Sequence, residues 1–272
     1  MFKKHKKLIK ETQAINLTTV NDPTSIISEQ FKTIRTNIVF SASNIKTIMI
    51  TSSLTGEGKS TIAANLAVEF ANNNKSVLLI DADMRRPTVH KTFGINNIDG
   101  LSNLLTKQRS EIDSCIFKSK IEGLNILPSG PIPPNPAELL SSNDMLEVIR
   151  RAREVFDVVL LDCPPILPVT DARILAPLMD GTILVVRRGG VSKKMVCESK
   201  GVLEQVRANL LGERKSVVEG KSEDRGGRRR IREKNSVVAL LLNYDSRIVS
   251  SCLAPNCSTA TCAHTPPHPC DI

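Results

Sequence analysis

One lysine, one serine and three aspartates, set in three short stretches, have the types and spacing to hold the phosphates of a nucleotide and a metal ion. The first stretch is TSSLTGEGKST, Thr51–Thr61. Gly56 and Gly58 let a backbone turn its N–H groups toward one point, and a helix starting near Lys59 adds the positive end of its dipole. Lys59 would reach the β- and γ-phosphates, the Ser60 hydroxyl would bind Mg2+, and Thr61 would extend the contacts toward the α-phosphate. The stretch departs from G-x-x-x-x-G-K-[ST] at one place, because Ser53 stands where the first glycine is usual. Read plainly, GEGKS is an ordinary loop and helix cap.

The second stretch, SVLLIDADMRRP, ends an apolar run on Asp81 and Asp83; the third, FDVVLLDCPP, ends another on Asp162. Side chains at i and i+2 of an extended strand point the same way, so Asp81 and Asp83 can share one pocket. Two full charges 4 Å apart repel by about 4 kcal/mol at an effective dielectric near 20. Left alone, one of them would take up a proton. Mg2+ and Lys59, helped by Arg85 and Arg86, would offset that repulsion. Helix capping is the plain alternative for Asp81 or Asp83; it accounts for one acidic position and not for three around one phosphate loop.

These residues need a scaffold that brings strand ends together. KTIMITSS, SVLLIDAD, FDVVLLDCPP and GTILVVRRGG read as strands that are apolar almost throughout, hence covered on both faces. LNILPSG reads as a strand and turn. STIAANLAVEFANNN, NDMLEVIRRARE and SKKMVCESKGVLEQVRANL read as helices, and PIPPNPAELL as a rigid loop entering another. From Thr24 a further helix sets Ile27, Phe31, Ile34 and Ile38 on one face, with Ser25 or Ser28 as cap. Strands alternating with helices indicate a mostly parallel α/β sheet with helices on both faces. Ligands of such sheets bind beyond the carboxyl ends of the strands, where all three stretches end.

At 272 residues the chain is long enough for a substantial core. No apolar run approaches the roughly 18 residues that span a bilayer, and MFKKHKKLIK is basic without the apolar stretch of a secretory signal. A cytoplasmic protein is the expectation. The formal charge of +9 fits weak attraction to anionic lipid, nucleic acid or an acidic partner. Three organisational units are expected: a flexible basic N-terminus over 1–22, a nucleotide-binding domain over 23–212, and an irregular tail over 213–272. The helix–strand pattern stops after Leu211-Gly212, where an α/β repeat should deliver its next strand. The tail therefore reads as foreign or frameshifted sequence in preference to a native arm; within it SVVALLLN has a strand-like composition. Cys252, Cys257, Cys262 and Cys270 with His264 and His268 lack a close C-x-x-C pair and do not read as a zinc site. RGGRRRIR lacks interleaved aromatics, so no nucleic-acid partner is expected.

GEGKST, LLIDADMRRP and VVLLDCPP together resemble the three nucleotide motifs of the bacterial tyrosine kinases, enzymes with a P-loop NTPase-like fold that commonly serve capsular or exopolysaccharide synthesis. The resemblance runs from about Ile26 to Gly212. It implies ATP and Mg2+ as cofactors and Thr55, Gly56, Glu57, Gly58, Lys59, Ser60 and Thr61 as nucleotide contacts. It further implies Asp83 and Asp162, with Ser60, as holders of the metal, and Asp81 as the base toward a tyrosine hydroxyl. SEQFKTIRTNI places Glu29, Lys32 and Arg35 where the family has an E-x-x-R-x-x-R motif that joins subunits into a ring, with Lys32 replacing an arginine. Partners implied are a separate membrane protein whose cytoplasmic end activates the kinase at the inner face of the membrane, and a tyrosine-containing protein substrate. The family's usual tyrosine cluster is missing, since Tyr244 is the one tyrosine. So is the strand due after LLG, whose ending asparagine Asn243 could imitate. The alternative function is a partitioning or division ATPase, a nucleotide switch that phosphorylates no protein. Those relatives carry a lysine where this chain has Leu54.

Overall fold

The computed structural model describes residues 17–41, 44–108, 112–187, 189–211 and the strand at 239–242. The basic run at the N-terminus, RGGRRRIR, Asn243, Tyr244 and the Cys/His group lie outside the described residues.

Among the described residues seven strands form one sheet: β1 (Thr47–Ser52), β2 (Val77–Asp81), β3 (Phe117–Lys118), β4 (Leu124–Leu127), β5 (Val158–Asp162), β6 (Gly181–Arg187) and β7 (Ala239–Leu242). Their order is β3-β4-β2-β5-β1-β6-β7, parallel throughout except for β3 against β4. The helices are α1 (Thr18–Asn21), α2 (Ile26–Ser41), α3 (Lys59–Asn72), α4 (Val89–Phe93), α5 (Leu101–Leu105), α6 (Pro136–Leu140), α7 (Asn143–Val155), α8 (Asp171–Leu175) and α9 (Lys193–Gln205). Ser25 caps α2 by accepting from the Ser28 N–H, and Ser142 and Ser192 do the same for α7 and α9. Thr18–Asn21, inside the stretch read as a basic arm, is helical instead; Thr19 is buried and donates from its N–H and hydroxyl to Asn65 of α3.

Alternation of side chains along each strand divides the core into two layers. Ile48, Ile50, Leu79, Leu160, Ile183 and Val185 pack with Ile62, Leu66 and Phe70 of α3 and Phe31 and Ile38 of α2. Met49, Leu78, Ile80, Val159, Leu161 and Leu184 pack on the other side with α5, α7 and α9. The parity has a direct consequence for the site. Asp81 follows Leu79 by two residues and Asp162 follows Leu160 by two, so both carboxylates emerge on the layer of α3. The register pairs Asp81 with Asp162 across neighbouring strands.

The far ends of the strands are locked by Asp180. Its Oδ2 accepts from the Lys46 and Thr47 N–H groups at 2.9 and 2.8 Å, and its Oδ1 from Arg153 at 2.8 Å. Burial alone would raise the Asp180 pKa, but those donors outweigh it and hold the carboxyl below the ordinary aspartate range. Stability from this latch is present above the unfolded value of about 3.9 and is lost as pH falls toward the lower folded value. Asp180→Ala is expected to lower the unfolding free energy at pH 7 by about 1–3 kcal/mol. Thermal unfolding followed by circular dichroism from pH 7 to 2.5 should show the gap to wild type closing on the acid side.

The edge of β6 is covered in two pieces. Thr182 pairs with Leu210, and two residues further along β6 Leu184 pairs with Ala239. An unbroken strand would place residue 212 opposite Leu184, so β7 resumes in the register that Leu210 and Leu211 set. SVVALLLN thus supplies a strand, at Ala239–Leu242. Excision of residues 212–238 would join Leu211 to Ala239 without shifting the pairing. The excised variant is expected to melt no lower than the full chain. A drop of more than about 4 °C, roughly 1–2 kcal/mol for a domain of this size, would show the excised residues to be part of the fold.

Candidate active site

The phosphate loop connects β1 to α3. Gly56 and Gly58 have φ of +86° and +89°, and nothing lies within 4 Å of a Cβ added at either. Glycine is required there for the left-handed backbone. Ser53 is not among the described residues with positive φ, which explains why the stretch tolerates a serine in place of the usual first glycine. Glu57 is buried and folded back on its own loop: Oε2 accepts from the Leu54 N–H at 2.7 Å and Oε1 from the Arg187 N–H at 3.3 Å. Its carboxylate braces the loop against the end of β6. Thr55 and Gly56 are exposed at the loop tip, and Thr61 lies exposed in the first turn of α3.

Lys59 opens α3 and is buried at the point where the carboxylates meet. Its Nζ lies 2.8 Å from Asp83 Oδ2 and 3.3 Å from Asp162 Oδ1, and 3.2 Å from the Ser60 hydroxyl. Burial works against the ammonium, but Asp162, Asp83 and Asp81 together raise its pKa above the ordinary value. Asp81 is fully enclosed. Its Oδ2 accepts from the Thr88 and Val89 N–H groups at 3.1 and 3.0 Å, and its Oδ1 from the Asp83 N–H at 3.2 Å. Burial and the facing Asp162 push its pKa up to about 8. Asp83 Oδ1 accepts from the Arg86 N–H at 3.0 Å. Burial also raises the Asp162 pKa, with Lys59 opposing the shift, and Asp162 Oδ2 is buried without a hydrogen-bond partner. The next residue, Cys163, is buried and its thiol is pushed well up, so it is no nucleophile.

Lys59, Ser60, Asp81, Asp83 and Asp162, named separately from the sequence, therefore come together at the carboxyl ends of β1, β2 and β5. Glu29, Lys32 and Arg35 lie elsewhere, on α2, with Lys32 Nζ 2.7 Å from Glu29. Among the described residues no group of three or more His, Cys, Asp or Glu side chains is arranged to hold a metal alone. Mg2+ needs no such cage: it habitually takes one or two carboxylates, waters and the phosphates of its nucleotide. Three buried carboxylates against one ammonium, with the Asp162 Oδ2 lone pairs unclaimed, fit a divalent cation accompanied by phosphate.

The fold and this site define a nucleotide-binding α/β protein of the P-loop class, and the family described as AAA domain matches residues 45–193. Within that class, tyrosine-protein kinase YwqD of Bacillus subtilis (strain 168) is 47% identical over 208 residues, 76% of this chain and 86% of that protein. The crystal structure of the chimerical protein CapA2B2 aligns with a TM-score of 0.70 at 40% identity, covering 72% of this chain and 87% of that one. The chain belongs to the bacterial tyrosine-protein kinases. The cell division ATPase MinD of Pyrococcus furiosus aligns over 61% of this chain and 70% of its own with a TM-score of 0.53 at 24% identity, a likeness of fold alone.

Because the folded state holds the Asp162 carboxyl above its unfolded pKa, its charge opposes folding at neutral pH. Asp162→Asn is expected to raise the melting temperature of the nucleotide-free protein. The same substitution should weaken the Mg2+-dependent part of ADP binding, measured by calorimetry with and without the metal.

Proposed function

We propose that the protein is an Mg-ATP-dependent protein-tyrosine kinase that regulates capsular or exopolysaccharide synthesis. The observation that carries this reading is the meeting of Lys59, Asp83 and Asp162 within hydrogen-bond distance at the start of α3. Phosphoryl transfer is mostly positioning and charge stabilisation, and the site has the parts for both. The loop from Thr55 to Ser60 and the N-terminal end of α3 would face the phosphates, with Lys59 turning from the carboxylates to them. Ser60, Asp83 and Asp162 would hold Mg2+, which when bound spreads positive charge over the β- and γ-phosphate oxygens.

Asp81 is assigned the phenolic proton of the acceptor. A free tyrosine has a pKa near 10, and burial beside Asp162 raises the proton affinity of Asp81 above that of an ordinary aspartate, which suits its ionised form to accept the phenolic proton. Access of a phenol to Asp81 requires its covering loop, 82–88, to release the N–H groups of Thr88 and Val89. The catalytic unit is taken as residues 23–212 completed by β7, with the rest of 213–272 dispensable for transfer. The acceptor is a tyrosine of another protein, and a membrane protein with a cytoplasmic tail serves as activator, which would put the kinase at the inner face of the membrane. No helix among the described residues is long and apolar enough to cross a bilayer. Assembly into a ring is proposed through Glu29, Lys32 and Arg35 of α2, a helix on which Glu29, Ile26 and Phe40 are exposed and Lys32 and Arg35 partly buried.

Transfer of labelled phosphate from Mg-ATP to a glutamate–tyrosine copolymer tests the reading. Lys59→Met is expected to lower transfer by about 100–1,000-fold or more. Asp81→Ala should remove transfer while ADP affinity stays near wild type. Incorporation by Asp81→Ala at the unmutated rate would reduce Asp81 to a cap of its loop.

A further inference from the structure

Two charged side chains beside the site are joined in a contact that the proposed reaction does not use. Arg85 forms a two-pronged ion pair with Asp171: Nε donates to Oδ2 at 2.8 Å and Nη2 to Oδ1 at 2.9 Å. Asp171 opens α8 and is wholly buried, whereas 41% of the Arg85 side chain is exposed. A buried ion pair contributes little net stability, because desolvation cancels much of the attraction. What the fork of a guanidinium on a carboxylate supplies is a fixed geometry.

The pair joins two loops that each carry a carboxylate of the site. Arg85 stands two residues past Asp83, and Asp171 ends the loop that leaves Asp162. That loop is itself tied to the stem of the phosphate loop. The Ile166 N–H donates to the Ser52 carbonyl at 2.8 Å, and the Thr51 hydroxyl donates to the Pro164 carbonyl at 2.7 Å. Arg173 stiffens it further by donating to the Ile166 and Leu167 carbonyls. Arg85 therefore closes a circuit from β1, through the loop after β5, to the loop after β2. The carboxylate of Asp83 itself is held by the Arg86 N–H and by Lys59. When Lys59 turns to a phosphate, the second of these holds is gone and the circuit must keep Asp83 in place.

We propose that the Arg85–Asp171 pair is a positioning clamp that keeps Asp83 at metal-sharing distance from Asp162 while Lys59 is engaged with nucleotide. Neither residue touches the reacting atoms. The clamp needs the guanidinium and not merely its charge, since an ammonium gives one point of contact where Asp171 accepts two. The inference rests on the phosphoryl-transfer reading for its effect on rate, but its effect on metal-dependent binding is independent of that reading.

The full chain is compared with Arg85→Lys and Arg85→Ala by three measurements: melting temperature, ADP affinity with and without Mg2+, and kcat and KM for transfer to the copolymer. The Mg2+-free ADP affinity is expected to stay within about threefold of wild type. The tightening that Mg2+ adds should shrink by about 10–100-fold in Arg85→Ala, the range seen when a supporting residue of a metal site is lost, and kcat should fall in parallel. Arg85→Lys should lie between. Wild-type tightening in Arg85→Ala would overturn the clamp, and so would a uniform loss of ADP binding that tracks melting temperature. If Arg85→Ala does not fold, Arg85→Lys decides by the same readings: full Mg2+ tightening and full kcat would refute the need for the fork. A wild-type protein that binds Mg-ADP but transfers nothing would refute the kinase reading and leave the clamp to be judged on binding.

Discussion

Everything in the site is arranged about one ammonium group. Lys59 Nζ sits within 3.3 Å of two carboxylates, Asp162 at the end of β5 and Asp83 in the loop after β2, with Asp81 at the end of β2 on the same layer of the sheet. One positive charge cannot neutralise three buried negative ones, and burial, with the neighbouring carboxylates adding to it, raises the proton affinities of Asp81 and Asp162. One ammonium and three ionised carboxylates leave two net negative charges, which a single divalent cation would balance.

That arrangement has a rigid surround, tied together by hydrogen bonds between side chains and distant loops. Glu57 turns its carboxylate away from the loop tip and ties the loop to β6. Asp81 collects three backbone N–H groups and so folds the segment that presents Asp83. Arg85 and Asp171 join that segment to the loop behind Asp162. At the opposite end of the sheet Asp180 gathers Lys46, Thr47 and Arg153, and Asn209 donates to its carbonyl. The strands are thus pinned where they begin, which leaves their carboxyl ends available for loops that serve chemistry.

The border of the sheet follows a different logic. β6 is bordered first by Leu210 and then by Ala239–Leu242, in one continuous register despite the residues between them. An exposed edge of a parallel sheet leaves donors and acceptors unpaired. Any later segment with enough strand character, in the right frame, can satisfy them. This accounts for how an apolar run so far down the chain comes to lie where the last strand of such a domain belongs.

The amino-acid sequence by itself determined the elements and the chemistry. Apolar runs broken by Gly, Asn and Pro specified strands and helices with bounds close to those observed, and GEGKS and DAD each named the residues that meet. Those features are local: a period, a cap or an i, i+2 spacing is complete within a few residues. What only the tertiary structure decided are the partners of Glu57, Asp81, Asp171 and Asp180, and the packing of Thr19 on Asn65. The bracing role of the Glu57 side chain was not legible, because its partner at Arg187 lies 130 residues away. Arg85 read as a help in offsetting the charges of Asp81 and Asp83, and its ion pair with Asp171 was not legible, because Asp171 is 86 residues further on. Long-range hydrogen bonds of this kind follow from strand order and register, and no local pattern encodes which loop end will stand beside which.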